Sequence, residues 1–174
     1  MGTESIKELR GLTGAGIMSC KKALEEAKGD MNGAVEILKQ QGLAKAQKKA
    51  HREVRQGLVE TYIHTGGRIG ALVEVNCESD FAAHTGEFKE LAHNLAMQVA
   101  ATAPAFLSVD DFKKDDLPEG IDPDEVEPDE VCLLSQPFIR DPERTVHDII
   151  SDTVAKVGEN IKVRRFARFE LGRD

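Results

Sequence analysis

Long apolar runs, paired cysteines and a secretory signal are all missing from this 174-residue chain. No apolar stretch approaches the roughly 18 residues that a membrane-spanning helix needs, so we expect no membrane partner. The first residues, MGTESIKELRG, lack the basic and apolar regions of a signal peptide. The three cysteines, Cys20, Cys77 and Cys132, lie far apart and form no CxxC pair. These absences predict reduced thiols and a cytoplasmic location.

Motifs of the common enzyme classes are also missing. The chain contains no GxxxxGK[ST], no HExxH and no nucleophile elbow, and no group of residues has metal-ligand spacing. A nucleophilic site can be drawn from Cys77, Asp80 and His84, but Cys77 falls on the apolar face of a predicted strand. Free cysteines in that position usually serve packing. The sequence therefore predicts a protein that is not an enzyme and holds no cofactor, with a cysteine hydrolase as one alternative.

Negative charge is abundant but confined to one segment. The chain carries a net charge of −8, while residues 110–130 alone hold eleven acidic residues and two lysines. That segment contains three prolines and shows no periodicity, which predicts a mobile acidic loop. The remaining chain is nearly neutral, so its overall charge says little about what the folded part binds.

Helical periodicity dominates residues 1–43, which we interpret as a three-helix module. A first helix covers residues 5–12, with Ser5 as its cap. The second places Ile17, Cys20, Leu24 and Ala27 on one buried stripe and stops at Gly29. Asp30 caps the third, whose stripe is Met31, Ala34, Val35 and Leu38, and Gly42 is expected to end it. About 40 residues is near the lower size limit for independent folding.

A basic connector, residues 44–55, is expected to be helical and exposed, and an α+β core domain, residues 56–174, follows it. The core begins with a predicted hairpin that turns at Gly66-Gly67. Ile69, Ala71, Val73, Val75 and Cys77 share one face of its second strand. A helix over residues 84–102 and another over 141–158 should cover the sheet, and residues 160–172 should form the last strand. In that strand Ile161, Val163, Ala167, Phe169 and Leu171 share a face, and Arg165 is the one polar member.

RNA binding is the second alternative. The connector is rich in lysine and arginine, and Arg164, Arg165 and Arg168 alternate with Phe166 and Phe169 in the last strand. Basic residues with stacking aromatics bind single strands. However, a half-buried strand shows the same alternation, and the near-neutral charge is far from the basic footprint of such proteins. We therefore expect no direct contact with nucleic acid.

Two features suggest a protein partner instead. Met18, Lys21, Lys22 and Glu25 form their own face beside the buried stripe of the second helix. An exposed methionine among lysines suits a protein-binding surface. The other feature is ESDFAA, residues 78–83, where Phe81 stands among short polar residues that should form a turn. Ser79 or Asp80 is expected to cap the next helix. Phe81 either anchors on the core or is displayed to a partner.

Several long segments resemble the bacterial elongation factor Ts family. They are LTGAGIMSCKKALEEAKGDMNGAVEIL, GALVEVNCESDFAA, VCLLSQPFIRDPERTV and GENIKVRRFARFELG, in the order in which the family carries them. The resemblance runs from about residue 4 to residue 172. It implies an α+β fold in which a helical module like the ubiquitin-associated domain and a helical connector precede a three-stranded antiparallel sheet covered by helices.

The resemblance also implies a function, guanine-nucleotide exchange on elongation factor Tu. Ser79, Asp80, Phe81 and Ala82 take the place of the family motif, usually Thr-Asp-Phe-Val, that dislocates magnesium from the partner. Met18, Lys21 and Lys22 lie in the module that docks on the partner's GTPase domain, and Cys20 is left out because it belongs to the buried stripe. Serine here keeps a capping hydroxyl, whereas Ala82 has less apolar surface than valine.

Many family members carry a second copy of the core half, and only one is visible here. A three-stranded sheet with one helical layer leaves a face and edges open, which predicts a non-covalent homodimer. We expect the contact to include Phe166 beside Arg164 and Arg168. The alternative is a monomer whose sheet edges are shielded by residues 104–112 and 131–139.

Overall fold

A computed structural model describes residues 2–118 and 120–173 of the chain. Its helices are α1 (Thr3–Thr13), α2 (Ile17–Glu26), α3 (Met31–Lys49), α4 (Asp80–Ala83), α5 (Gly86–Thr102), α6 (Pro128–Val131) and α7 (Val146–Val157). Its strands are β1 (Gln56–Ile63), β2 (Ile69–Cys77), β3 (Pro137–Phe138), β4 (Asp141–Thr145) and β5 (Ile161–Glu170). Three N-terminal helices precede a three-stranded antiparallel sheet packed with helices. The predicted α+β class is therefore confirmed.

The N-terminal helices enclose a hydrophobic core of their own. Its buried members are Leu9, Cys20, Ala23, Leu24, Ala34 and Leu38. Two details of the prediction are wrong. Ile17 is 56% exposed because it is the first residue of α2 and faces solvent, and Ala23 occupies the buried stripe. Ser5 caps nothing, because α1 already begins at Thr3, where Glu4 in the first turn suits the helix dipole.

Helix α3 crosses the expected boundary between the module and the connector. Asp30 caps it as predicted, its Oδ2 accepting a hydrogen bond from the Gly33 N–H at 2.7 Å. Gly42 does not end it, and the helix continues to Lys49. Gly42 is buried against α7, where an added Cβ would lie 3.7 Å from the Ala155 side chain. Gly42 therefore allows close packing of two helices. In the sequence, a glycine with this role looks the same as a glycine that ends a helix.

The main sheet has the strand order β1-β2-β5, with both pairs antiparallel. Gly66 and Gly67, in the loop between β1 and β2, both have the positive φ that this turn requires. On β2 the predicted inward face is confirmed, with Ala71, Val73, Val75 and Cys77 buried. They pack in one core with the apolar stripe of α5, namely Phe88, Leu91, Ala92, Leu95, Ala96 and Val99.

The last strand contains a β-bulge that reverses part of its predicted pattern. Val75 pairs with Val163 and Glu74 with Arg165, so Arg164 is an extra residue between them. The extra residue moves every later side chain to the opposite face. As a result Phe166 packs against the core, whereas Ala167 and Phe169 point outward. The predicted common face of Ile161, Val163, Ala167, Phe169 and Leu171 is therefore wrong beyond Val163.

The segment between α5 and α7 is mostly irregular. Residues 131–139 are largely buried, and Phe106 forms a parallel bridge with Cys132. Residues 104–112 and 131–139, proposed as shields of the sheet edges, are joined to each other by backbone hydrogen bonds. Among the described residues, β1 and β5 remain the edge strands of the sheet. The acidic segment carries short 3-10 turns at Val109–Asp111 and Lys114–Asp116. No helix among the described residues is long and apolar enough to cross a membrane.

Candidate functional site

The turn at Ser79–Ala83 displays a phenylalanine to solvent. Strand β2 ends at Cys77, and α4 follows after Ser79, whose hydroxyl oxygen accepts the Ala82 N–H at 3.2 Å. This cap starts a helix of a single turn, on which Phe81 is 83% exposed. At this exposure the ring is not buried in the core of the chain. The structure thus favours display of Phe81 over the alternative in which it anchors on the core.

The neighbours of Phe81 face in different directions. Ala82 and Ala83 are buried and belong to the main core. Asp80 is exposed, and its carboxylate lies 3.5 Å from Nδ1 of His84, which also contacts the Asp80 carbonyl oxygen at 2.8 Å. Of the four motif residues, only Asp80 and Phe81 have exposed side chains, while Ala82 attaches the turn to the core.

Two glutamates hold the turn against the loop that precedes β5. The Glu159 carboxylate accepts hydrogen bonds from the Ser79 N–H at 2.9 Å and from the Ser79 hydroxyl at 2.6 Å. In the opposite direction, Glu78 accepts the Asn160 N–H at 2.6 Å. The sequence did not reveal this arrangement, because the partners are about eighty residues apart and nothing in their local spacing marks them.

Asn160, in the loop that precedes β5, also contacts the connector. Asn160 is buried, and its side-chain amide donates to the carbonyl oxygens of Arg52 at 2.8 Å and Ala50 at 3.4 Å. Arg52 in turn lies 3.4 Å from the Glu78 carboxylate. The segment after α3 is thereby joined to Glu78, just before the turn, and to the loop that precedes β5.

A second exposed surface lies on the helical module. Met18 is 64% exposed, and Lys21 and Lys22 are exposed beside it, with Lys21 forming a loose 3.9 Å ion pair with Glu25. Leu12 and Ile17, which are close to Met18 in sequence, are also exposed and apolar, so the module exposes more apolar surface than the sequence suggested. We define the Met18 patch as Leu12, Ile17, Met18, Lys21 and Lys22. Leu12 follows the buried Leu9 of α1 by three positions. That spacing is typical of two residues on one buried face, so the sequence did not indicate that Leu12 is exposed.

The geometry argues against a cysteine nucleophile. Cys77 is fully buried, and its thiol donates to the Ser79 carbonyl oxygen at 3.1 Å. Burial, with the nearby charges of Glu159 and Asp80, raises the pKa of this thiol above its ordinary value. A raised pKa removes the thiolate that nucleophilic attack needs. No group of three or more potential metal ligands occurs among the residues that the structure describes.

The arginines of β5 are committed to contacts within the chain. Arg165 and Arg164 both reach the Glu74 carboxylate, at 2.7 and 3.4 Å. Arg168 donates to the Ala100 carbonyl oxygen at 3.0 Å and pairs with Glu170 at 2.8 Å. Phe166 packs on the core, so Phe169 is the one exposed phenylalanine of this strand, beside the exposed side chains of Arg164 and Arg165. A single exposed ring is less than the row of stacking aromatics on which single-strand binding depends.

The face of the sheet opposite the helices is exposed, and it is apolar at the end that carries Ile63 and Phe169, while Glu74 and Arg165 lie in the row of Val59. Ile63, Gly70 and Phe169 lie side by side across the three strands, and Thr61, Leu72 and Ala167 form the next row. We call this surface the outer sheet face, comprising Val59, Ile63, Leu72, Ala167, Phe169 and the adjoining Leu171. The predicted dimer contact through Phe166 is wrong, because the bulge turns Phe166 inward. Period-two alternation had placed Val59 and Ile63 together, without showing that their face is open.

Comparison with known proteins agrees with the fold and the motifs. The sequence model of the family described as Elongation factor TS matches residues 21–120 and 126–173. A protein named elongation factor Ts from Carboxydothermus hydrogenoformans is 50% identical, over 98% of this chain and 88% of its own length. One from Thermoanaerobacter sp. is 48% identical, over 99% and 95%. One from Rippkaea orientalis is 48% identical, over 99% and 78%. The chain therefore belongs to the elongation factor Ts family.

Proposed function

We propose that this protein is a guanine-nucleotide exchange factor that binds the GDP form of elongation factor Tu and promotes release of GDP. The observation that carries the proposal is the 83% exposure of Phe81 on a turn that Ala82 and Ala83 attach to the core. Family membership supplies the partner and the reaction. The protein acts where translation takes place, in the cytoplasm, and its three free cysteines, all buried, suit a reducing compartment.

The mechanism follows from how a GTPase holds its nucleotide. GDP is bound largely through its phosphates and a Mg²⁺ ion with few protein ligands and several waters. Because few protein ligands hold the metal, a side chain that enters beside it can shift the groups that support the metal while breaking few protein contacts. In this proposal Phe81 enters an apolar pocket of the partner, and Asp80 orients the approach through hydrogen bonds. Ser79 and Ala82 hold the turn in place.

Exchange of this kind needs no covalent step. The factor binds the nucleotide-free, metal-free partner more tightly than the loaded partner, and this coupling is reciprocal, so incoming nucleotide expels the factor to the same degree. The side chains of this chain bind and orient, and we assign none of them as a catalytic acid, base or nucleophile. The protein itself requires no cofactor or metal for this role.

Docking is the part we assign to the helical module. The Met18 patch combines three exposed apolar side chains with two lysines, a composition suited to a protein surface that carries acidic residues. Met18, Lys21 and Lys22 contact the GTPase domain of the partner in this proposal. We retain residues 1–43, 44–55 and 56–174 as functional divisions, although α3 runs through the first boundary.

We also propose that the protein works as a homodimer. The outer sheet face exposes five large apolar side chains on one side of a sheet whose other side is covered by α5. A second copy placed on this face would bury both patches by symmetry and would supply the second core half of longer family members. No cysteine is part of the face, so the contact is non-covalent.

Release of labelled GDP from purified elongation factor Tu tests the exchange function. We expect the wild-type protein to accelerate release strongly and Phe81→Ala to lose at least about tenfold of that acceleration, comparable to coupling energies between sites. The thermal midpoint should hardly change, because the Phe81 side chain contributes little burial to the fold. Val109→Ala, which shortens another exposed apolar residue, serves as the control. A Phe81→Ala protein that exchanges normally, or that unfolds, would contradict the proposal.

A further inference from the structure

The contact between Glu159 and Ser79 is the basis of a further inference, which rests on the proposed exchange function. We propose that Glu159 is a positioning residue for Phe81: its carboxylate holds the turn in the orientation from which Phe81 enters the partner. Glu159 would touch neither nucleotide nor metal. Its effect on exchange would pass entirely through Ser79 and the helical turn that Ser79 caps.

The geometry of the contact is suited to fixing an orientation. One carboxylate accepts two hydrogen bonds from one residue, from the Ser79 N–H at 2.9 Å and from its hydroxyl at 2.6 Å. Two bonds to a charged acceptor fix direction as well as distance. The hydroxyl oxygen that donates to Glu159 also accepts the Ala82 N–H, so Glu159 orients the same atom that caps α4.

A reciprocal bond completes the arrangement. Glu78 accepts the N–H of Asn160, while Glu159 accepts the N–H of Ser79. Glu159 thus binds the backbone of Ser79, the residue after Glu78, and Glu78 binds the backbone of Asn160, the residue after Glu159. Such a pair resists both sliding and twisting of the two loops, because each motion lengthens at least one bond. The loop before β5 therefore acts as a rigid support for the start of α4.

This support matters because α4 has little else to hold its first residue. Ala82 and Ala83 attach the end of the single turn to the core, while Asp80 and Phe81 are exposed. A four-residue helix is too short to be stable by its own hydrogen bonds. Without the Glu159 contact, Phe81 would sample more orientations, and binding would carry the entropy cost of ordering it.

Exchange kinetics give the first test. We expect Glu159→Ala to lower the maximal rate of GDP release about tenfold while the factor concentration at half-maximal rate stays within about twofold, since the Met18 patch is untouched. Glu159→Gln keeps the side-chain length and a carbonyl acceptor, so it should recover most of the rate. Glu90→Ala removes an exposed glutamate from α5 and is the matched control. Unchanged maximal rates in both Glu159 variants would overturn the proposal.

A second test does not depend on exchange at all. The chain contains no tryptophan, so Phe81→Trp introduces a single fluorescent reporter at the tip of the turn. Fluorescence anisotropy decay should show restricted local motion in this variant and a clearly larger amplitude when Glu159→Ala is added. Equal amplitudes would overturn the positioning role. If the wild-type protein fails to release GDP, the proposed function falls, while the anisotropy result still decides whether Glu159 holds the turn.

If Glu159→Ala unfolds the protein, the anisotropy decay is measured instead with Glu159→Gln and with Ser79→Ala, each combined with Phe81→Trp. Both are expected to keep circular dichroism and thermal midpoint close to wild type. Ser79→Ala removes one of the two bonds to Glu159 and the cap, and it should enlarge the motion of a tryptophan at position 81. Restricted motion in Ser79→Ala, equal to that of the parent variant, would contradict the proposal.

Discussion

Phe81 and Phe88 belong to neighbouring helices and lie in opposite environments. Phe88 is fully buried in the main core, while Phe81 is 83% exposed. Burial of a phenylalanine side chain stabilises a fold by about 1.5–3 kcal/mol, so the chain forgoes that contribution at position 81. Packing accounts for the buried ring, whereas we propose that the exposed ring serves binding.

Met18 and Lys21 allow docking to be separated from exchange at the scale of single residues. We expect Met18→Ala and Lys21→Glu to raise the factor concentration needed for half-maximal GDP release, by about five- to tenfold each, because contact residues act mainly on association. The maximal rate should remain close to wild type, since the Ser79–Ala83 turn is unchanged. Titration of the release rate against factor concentration measures both quantities.

Lys28→Glu is a suitable control for these variants, because Lys28 is an exposed lysine just beyond α2 and outside the Met18 patch. It makes the same charge change and should leave the titration nearly unchanged. A lowered maximal rate with an unaltered half-maximal concentration in Met18→Ala would assign the patch to the exchange step and contradict the docking role.

At the scale of elements, Gly42 weakens a helix that it also helps to pack. Glycine inside a helix costs about 0.5–1 kcal/mol relative to alanine. An added Cβ at position 42 would lie 3.7 Å from Ala155 and 3.8 Å from Asp152, which is ordinary contact. We therefore predict that Gly42→Ala stabilises the protein by about 0.5–1 kcal/mol, measured by urea unfolding.

Gly29→Ala provides the matched comparison, because Gly29 has a φ of +89° at the end of α2 and nothing within 4 Å of an added Cβ. Its backbone conformation is strained for alanine, so this variant should lose about 1 kcal/mol or more. Destabilisation by Gly42→Ala would show that α3 and α7 are packed more tightly than these distances indicate.

The pairing of β2 with β5 predicts a pH dependence of stability. The hydrogen bond from Arg165, aided by the charge of Arg164, lowers the pKa of Glu74 below its ordinary value. A carboxyl group with a lower pKa in the folded state stabilises the fold fully above its unfolded pKa, near 4.3, and that stability is lost as pH falls through the folded pKa.

Glu74→Gln should therefore destabilise the protein most above about pH 5 and progressively less in acid, because the wild type loses its advantage when Glu74 is protonated. Urea midpoints between pH 2.5 and 6.5 measure this difference. Glu90→Gln, at an exposed site on α5, should run parallel to the wild type over the same range. A Glu74→Gln difference that grows as the pH falls would mean that the pKa is raised instead.

At the scale of the whole molecule, the outer sheet face determines the expected assembly. Phe169, on the edge strand β5, is 66% exposed, and the exposed Leu72 on β2 and Ile63 on β1 belong to the same face. We predict that the wild-type protein sediments as a dimer at micromolar concentration, at twice the 19.1 kDa chain mass, with or without reductant. Phe169→Asp should yield the monomer, because two carboxylates would be buried across the symmetric contact.

Val109→Asp introduces the same charge at an exposed apolar residue away from the sheet and should leave the dimer intact. Sedimentation equilibrium of the three proteins decides the question. A wild-type monomer would refute the dimer, and a dimer that reductant dissociates would show that the buried cysteines pair between chains.

Local pattern was enough to determine most of the elements and to mark the candidate site. The stripe of α5 and the alternation of β2 depend on neighbours within one or two turns, so periodicity alone identified them. The turn at Gly66-Gly67 and the Asp30 cap have short-range chemical requirements that few residues meet. The ESDFAA segment stood out because a large aromatic among polar residues breaks the local pattern, and its family resemblance gave the pattern a function.

Tertiary structure alone decided the features that depend on distant partners. The bulge at Arg164 arises from the pairing of β5 with β2, and it selects which phenylalanine faces the core. Gly42 continues its helix because α7 packs against it, although the same residue is a common stop signal. Glu159 contacts Ser79 only because the sheet places the end of β2 beside the start of β5. In each case the contact joins residues far apart in the chain, so its free energy leaves no mark in local composition or spacing.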